Sequence, residues 1–251
     1  GRAQAAAMAA EERGSNHMNP IVTCTQLTKR FGSTVALDGL DLKLQRGKII
    51  GLAGPNSAGK TTLIKTLEGL LQPTGGTVLV DGQKPGPYTK SVTSYMADRP
   101  SFADWMKVQD LMDIYSDFFA DFDPVKAQEI CNALKLERGS LIKTLSKGTK
   151  EKLQLMLVMS RKAQLYLLDE PLAGVDPAAR EYIMKTIVAG YNEAGTVLIS
   201  THLITDVEKL LDQVVFLNRG RVILHRDTDE IRETEGRSVD ELFRDMFRFE
   251  G

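Results

Sequence analysis

The sequence predicts an α/β fold built around a phosphate-binding loop, with a block of helices set into it. Three observations carry the prediction. Residues 49–53 are a short apolar run, Gly54, Pro55, Asn56, Ser57, Ala58, Gly59, Lys60, Thr61 and Thr62 follow, and Leu63, Ile64 and Leu67 then recur at helical spacing. Strand, glycine loop and helix in that order are the context in which G-x-x-x-x-G-K-[ST] cradles phosphate. The stretch from about 97 to 160 changes texture to helical periodicity, and from Leu165 short apolar runs again alternate with helical ones.

The residue types of the loop follow from its chemistry. Successive backbone N–H groups curl round an anion, and the N-terminus of the next helix adds partial positive charge. Side chains would crowd that approach, so glycines stand at positions 54 and 59. Lys60 supplies a point charge for phosphate, and the Thr61 hydroxyl is a natural ligand for Mg²⁺.

The elements follow in order. Residues 21–27 read as an opening strand, and 35–44 contain a second whose latter half alternates. Residues 45–47 turn the chain into the buried strand 49–53, and a helix runs from about 59 to 69. Residues 73–76 break the chain before a strand at 77–80 and a turn at 81–83. Residues 91–96 read as a strand. Val108, Leu111, Met112, Tyr115, Phe118 and Phe119 then form a helical stripe expected to face a core. Asp123-Pro124 reads as N-cap and first helical residue of a helix to about 134, and Ser146 as the N-cap of a third helix to about 160. Strands at 165–168 and 197–200 alternate with helices at 177–190 and 203–210. Residues 214–217 and 222–224 form a hairpin around Asn218-Arg219-Gly220, and a polar linker at 233–236 leads to an amphipathic helix with Val239, Leu242, Phe243, Met246 and Phe247.

Composition bounds the partners. The 251 residues are 42% hydrophobic, enough for a substantial core, and carry a net charge of −1. No global basic field favours nucleic acid. No apolar run approaches the roughly 18–20 residues that span a bilayer. Cys24 and Cys131 lack metal-type spacing and read as reduced packing residues. Residues 1–17, Ala-rich and then Gly-Ser-Asn-His, have no signal-peptide core and read as an added leader. Residues 18–251 are read as one domain, with a helical subdomain at about 97–160 and a terminal hairpin and helix at about 213–251.

A second chemical group lies at 165–170, where an apolar strand ends in Asp169 and Glu170. Asp169 suits Mg²⁺, directly or through water, and Glu170 can polarise an attacking water.

With these residues in place the chain resembles the nucleotide-binding subunit of an ATP-binding cassette (ABC) transporter, from about residue 18 to 224. Phe31 in Lys29-Arg30-Phe31-Gly32 is similar to the aromatic that stacks on adenine, and 54–62 to the Walker A loop. Leu145-Ser146-Lys147-Gly148-Thr149 resembles the signature motif, 165–170 Walker B with its catalytic glutamate, Ala173-Gly174-Val175-Asp176 the D-loop, and Ser200-Thr201-His202 the switch histidine. The resemblance implies a P-loop NTPase core with a mixed sheet, an N-terminal antiparallel β subdomain and an inserted α-helical subdomain. It also implies ATP hydrolysis with Mg²⁺, metal contacts from Thr61, Asp169 and Asp98, and catalysis by Glu170, His202 and Lys60. A second nucleotide-binding subunit would sandwich ATP, with Ser146 and the Gly148 amide on the γ-phosphate of the other copy and Asp176 at the interface. A transmembrane permease subunit would complete the transporter at the cytoplasmic face of the cell membrane. Plainer roles also fit: Phe31 as a core aromatic, Asp176 as an N-cap, His202 as a helix-initiating histidine, Asp98 as a loop cap.

Three motifs depart from the family pattern. The signature reads Ser146-Lys147-Gly148-Thr149 where the family has Ser-Gly-Gly-Gln, Ser57 replaces a glycine in Walker A, and Asp98, in Tyr95-Met96-Ala97-Asp98-Arg99, stands where the Q-loop usually has glutamine. A negative φ is expected at Lys147, and Asp98 is expected to take the Q-loop role. This variant resembles bacterial subunits of small two-component exporters, with Trp105 and Met106 as candidate permease contacts. The competing reading is a soluble single-cassette ATPase acting on a protein assembly such as a cluster-assembly complex.

Overall fold

The computed structural model describes residues 19–173, 175, 177–190 and 194–248. The expected leader at 1–17 lies outside them. Two sheets organise the chain. The smaller is antiparallel and places β1 (Val22–Phe31) between β2 (Thr34–Leu44) and β4 (Gly75–Val80). The larger has the order β5-β6-β7-β3-β8-β9, from β3 (Ile49–Ala53), β5 (Thr93–Met96), β6 (Leu165–Asp169), β7 (Thr196–Thr201), β8 (Gln213–Asn218) and β9 (Arg221–Asp227). All its pairings are parallel except β8 with β9, so the sheet is mixed as expected.

The near-continuous apolar runs of the parallel strands have a direct cause: both faces of the sheet are covered. Ile50, Leu52, Leu165, Leu167, Leu198, Val215 and Leu217 face one core, shared with β1, β2, β4 and helix α1 (Lys60–Leu67). Their neighbours Ile49, Tyr166, Leu168, Val197, Ile199, Val214 and Phe216 face a second core, shared with the helical block. That block comprises α3 (Val108–Phe118), α4 (Pro124–Ala133) and α5 (Lys147–Met159). Asp123 caps α4 by accepting from the Val125 and Lys126 amides, both at 3.1 Å, and Ser146 caps α5 by accepting from Thr149 N at 3.2 Å. Lys147 is the first residue of α5, in helical conformation.

The helical block is fastened to the large sheet by Arg161. Its guanidinium pairs with Asp121, donates to the carbonyls of Ser91 and Thr93, and lies 3.8 Å from the Phe119 ring centroid. After β7 come α6's successors: α6 itself is Pro177–Gly190, α7 Ile204–Val207, α8 Thr228–Glu235 and α9 Val239–Phe247. Phe243 and Phe247 of α9 pack on Phe216 of β8, and Glu208 accepts from the Val239 and Asp240 amides at the start of α9.

Several expectations change. β1 runs to Phe31 rather than ending near 27. The strand expected at 91–96 begins only at Thr93, because a short helix α2 (Pro87–Val92) occupies the first part, opened by Pro87 and closed on itself by Thr89 Oγ1 and the Gly86 amide at 2.8 Å. The helix expected over 203–210 is α7 followed by a 3-10 turn, Glu208–Leu210. Residues 233–235, read as linker, belong to α8: its buried Ile231 and the Thr228 hydroxyl on Leu211 O (2.6 Å) anchor an otherwise charged helix. Phe118 stands out of the aromatic stripe at 79% exposed, since it ends α3 facing away from Tyr115 and Phe122. Met106 is buried, so it is not a surface contact, whereas Trp105 is 76% exposed.

Glu68 closes α1 with a buried Oε2 that has no hydrogen-bond partner. Burial pushes its carboxyl from 4.5 up to about 7 against the opposing pull of Lys90 and Arg161. Between those values the folded chain holds a proton that the unfolded chain has released, so stability falls as pH rises through the window. Glu68→Gln should flatten that fall by on the order of 2 kcal/mol in urea unfolding from pH 4.5 to 7; an unchanged slope would contradict it.

Candidate functional site

The loop leaves β3 at Ala53 and enters α1 at Lys60, pressed between β2 and β8. A Cβ on Gly54 would lie 2.2 Å from Leu217 O, and one on Gly59 2.5 Å from Ala36 O, with φ at +107°. Neither position admits a side chain. Ser57 also has a positive φ of 67°, so the residue replacing the family's glycine keeps the conformation that glycine adopts most easily. Ala58 N bonds back to Pro55 O at 3.1 Å, and Gly220 N from the β8–β9 turn bonds to Ala58 O at 2.9 Å. The loop is therefore held by its own turn and by the hairpin beyond β8.

A cavity of about 410 Å³ opens over this loop. Its walls are Phe31 at the end of β1 and residues 34–36 at the start of β2, 56–62 from the loop and α1, and Asp98 and Glu170 from just past the ends of β5 and β6. Phe31 is 48% exposed, so it is not a core aromatic. Lys60 is nearly buried; its Nζ donates to Gly54 O (2.7 Å) and Pro55 O (3.3 Å) and lies 4.0 Å from Glu170 Oε1. Burial lowers the pKa of its ammonium, while Glu170 and Asp169 oppose that shift.

Asp169 is fully buried at the end of β6. Parallel pairing sets it opposite Ser200 of β7, whose hydroxyl donates to Asp169 Oδ1 at 2.5 Å, and Thr61 Oγ1 donates to the same oxygen at 3.2 Å. Oδ2 is buried without a partner. Desolvation raises the carboxyl's pKa; the Ser200 and Thr61 hydroxyls lower it and the Asp98 charge raises it further. A buried carboxylate with one free oxygen, beside a hydroxyl and a second carboxylate, suits a hard cation with oxygen ligands. Carboxylates of Asp169 and Asp98 beside the Thr61 hydroxyl are a donor set that fits Mg²⁺, which uses one or two carboxylates and takes its remaining ligands from phosphate and water.

Glu170 follows in the left-handed region, φ 51°. Its amide donates to both Ser200 O (3.1 Å) and Ser200 Oγ (3.0 Å), and its Oε2 lies 2.8 Å from His202 Nδ1. Ser200 thus sets both acids at once. In the sequence Ser200 shows only as the first residue of Ser200-Thr201-His202 at the end of a strand; its role depends on a partner strand that the sequence does not name.

The structure brings Phe31, the loop, Lys60, Thr61, Thr62, Asp98, Asp169, Glu170 and His202 to one region. Ser146 and Gly148 do not line the cavity; Ser146 is exposed at the head of α5. Asp176 lies outside the described residues.

The family model described as "ABC transporter" matches residues 37–173, more than half of the chain. The chain is 30% identical over 216 residues to the ABC transporter ATP-binding protein YtrB of Bacillus subtilis, covering 85% of this chain and 74% of that one. It is 27% identical to the lantibiotic transport ATP-binding protein SrtF of Streptococcus pyogenes (89% and 96% covered) and 28% identical to the Nod factor export ATP-binding protein I of Cupriavidus metallidurans (91% and 78%). A solved ATP-binding subunit of an ABC transporter superposes with a TM-score of 0.81 at 24% identity, over 90% of this chain and 99% of that one, which shows the shared fold. The chain accordingly belongs to the ABC transporter family, as an ATP-binding subunit with ATPase function.

Proposed function

We propose that this chain is a Mg²⁺-dependent ATPase that drives export through a separate transmembrane permease at the cytoplasmic face of the membrane. The observation that carries the reading is the convergence of Lys60, Thr61 and Glu170 on one cavity rimmed by an exposed Phe31, with Asp169 hydrogen-bonded to Thr61 and His202 to Glu170. Among the described residues no helix is long and apolar enough to cross a membrane. One relative named above is an export subunit, which supports the direction, and another is a transport subunit.

Phe31 stacks on adenine, and the amides of residues 56–62 surround the phosphates. Lys60 exchanges the Gly54 and Pro55 carbonyls for phosphate oxygens, which are charged and stronger acceptors. Thr61, Asp169 and Asp98 are the residues that would hold Mg²⁺, which would neutralise charge on the phosphates. Glu170 takes a proton from the water whose oxygen attacks the γ-phosphorus; the bond to the β–γ bridging oxygen breaks and ADP leaves. His202, at 2.8 Å from Glu170 Oε2, orients that carboxylate and reaches the γ-phosphate.

Ser146 and Gly148, remote from this cavity in their own chain, face the ATP of a second nucleotide-binding subunit, identical or homologous, and Asp176 lies near the same interface. The permease docks on the helical block and the loop after β5, where Trp105 and Phe118 are exposed.

Glu170→Gln should cut ATP hydrolysis by about 10²-fold or more and accumulate an ATP-bound dimer visible by size exclusion; normal hydrolysis would remove Glu170 from its role. Asp98→Ala should raise the Mg²⁺ concentration for half-maximal ATPase by about tenfold, equivalent to about 1.4 kcal/mol. An unchanged Mg²⁺ dependence would make Asp98 a loop residue only.

A further inference from the structure

Helix α5 grips β5 and the residues after it at successive levels. Beyond its C-terminal end, Arg161 donates to Thr93 O at 2.5 Å and Ser91 O at 2.8 Å. In its last turn, Val158 O accepts from the Ser94 hydroxyl at 2.9 Å. In its middle, the buried Gln154 lies against the backbone of Ala97. In the orientation that satisfies both partners, its amide nitrogen donates to Ala97 O (3.1 Å) and its oxygen accepts from Ala97 N (2.8 Å).

Gln154 therefore makes with Ala97 the two-point contact that a paired strand residue would make. The ladder between β5 and β6 ends at Met96, opposite Leu168, so Ala97 lies just past the last strand pair. The next residue is Asp98, which reaches the cavity. Eight residues before Gln154, about 12 Å along the helix axis, stands the exposed cap Ser146. A buried side-chain amide satisfied at both ends by the N–H and C=O of one residue resists sliding, because any shift strands a donor and an acceptor together. α5 and the Ala97–Asp98 backbone are thereby joined into one body, while β5 carries the same body onto β6 and its terminal Asp169.

We propose that Gln154 is a positioning residue that ties Asp98 to the helix headed by Ser146. Docking of Ser146 on the second copy's triphosphate then sets the placement of Asp98 in this copy's cavity. The proposal rests on the reading of Asp98 and Ser146 given above. The coupling runs through a side chain: Gln154 bridges two backbone segments that are distant in sequence, and an apolar residue of equal size would fill the space without linking them.

The test is Gln154→Leu in the full chain, alone and combined with Asp98→Ala, with Gln154→Met in its place if the first variant fails to fold. The variant should stay folded with a melting temperature lowered by about 4–10 °C, while exchange of the Ala97 amide, read by hydrogen–deuterium exchange, should quicken by about tenfold or more. The kcat for ATP should fall by about tenfold with KM within about twofold, and the loss should vanish when the change is made on top of Asp98→Ala. Unchanged Ala97 exchange would overturn the proposal, as would losses that multiply in the double variant. If Asp98→Ala alone hydrolyses ATP with normal kcat and Mg²⁺ dependence, the reading of Asp98 falls and this proposal with it. A defective Asp98→Ala with multiplying losses removes only the role of Gln154.

Discussion

A single buried carboxylate constrains the rest of this structure. Asp169 sits at the end of a strand with no exposed surface, one oxygen held by two hydroxyls and the other without a partner. Burying an ionised group this way is costly unless a cation joins it. The raised pKa of the carboxyl expresses that cost. Thr61 from the start of α1 and Ser200 from the next strand hold the acid in place, the Asp98 charge adds to its need for a cation, and a phosphate-binding loop lies one strand further on.

Strand order makes this arrangement possible. β7 lies between β6 and β3, so the acid at the end of β6 and the loop leaving β3 flank one strand whose Ser200 serves as spacer and hydrogen-bond donor. A parallel sheet brings all these strand ends to the same edge, and the crevice beyond the carboxyl ends of such strands is where open α/β sheets bind ligands. The sheet can be parallel because both faces are covered, one by the β subdomain and α1, the other by the helical block. The helical block thus contributes twice: it closes a core, and through α5 it reaches the residues beside Asp98.

What could be read from the sequence was local. The phosphate loop, the Asp169–Glu170 pair, the Asp123-Pro124 and Ser146 caps and the β8–β9 hairpin each occupy a few consecutive residues whose chemistry is tied to their spacing. What escaped was set across the chain. Ser200 matters because a parallel register puts it opposite Asp169, and Gln154 because a helix lies against Ala97. The helices at 87–92 and 228–235 were missed because both are short and polar, with little apolar periodicity; α8 is fixed by Ile231 and by ion pairs such as Arg226 with Glu230. Phe118 belongs to the right helix yet points outward, because helical spacing marks a stripe without saying where the covered face ends.

The central claim is that Asp169 is completed by a divalent cation held between its free oxygen, Thr61 and the phosphates of the nucleotide. Thermal unfolding with a non-hydrolysable ATP analogue, with and without Mg²⁺, tests it most directly in the unaltered chain and in Asp169→Asn. The account predicts that Mg²⁺ adds to the stabilisation by nucleotide in the unaltered chain, following the logarithm of ligand saturation. In Asp169→Asn that metal-dependent increment should disappear while the metal-free nucleotide increment remains. An increment of equal size in both proteins would contradict the account.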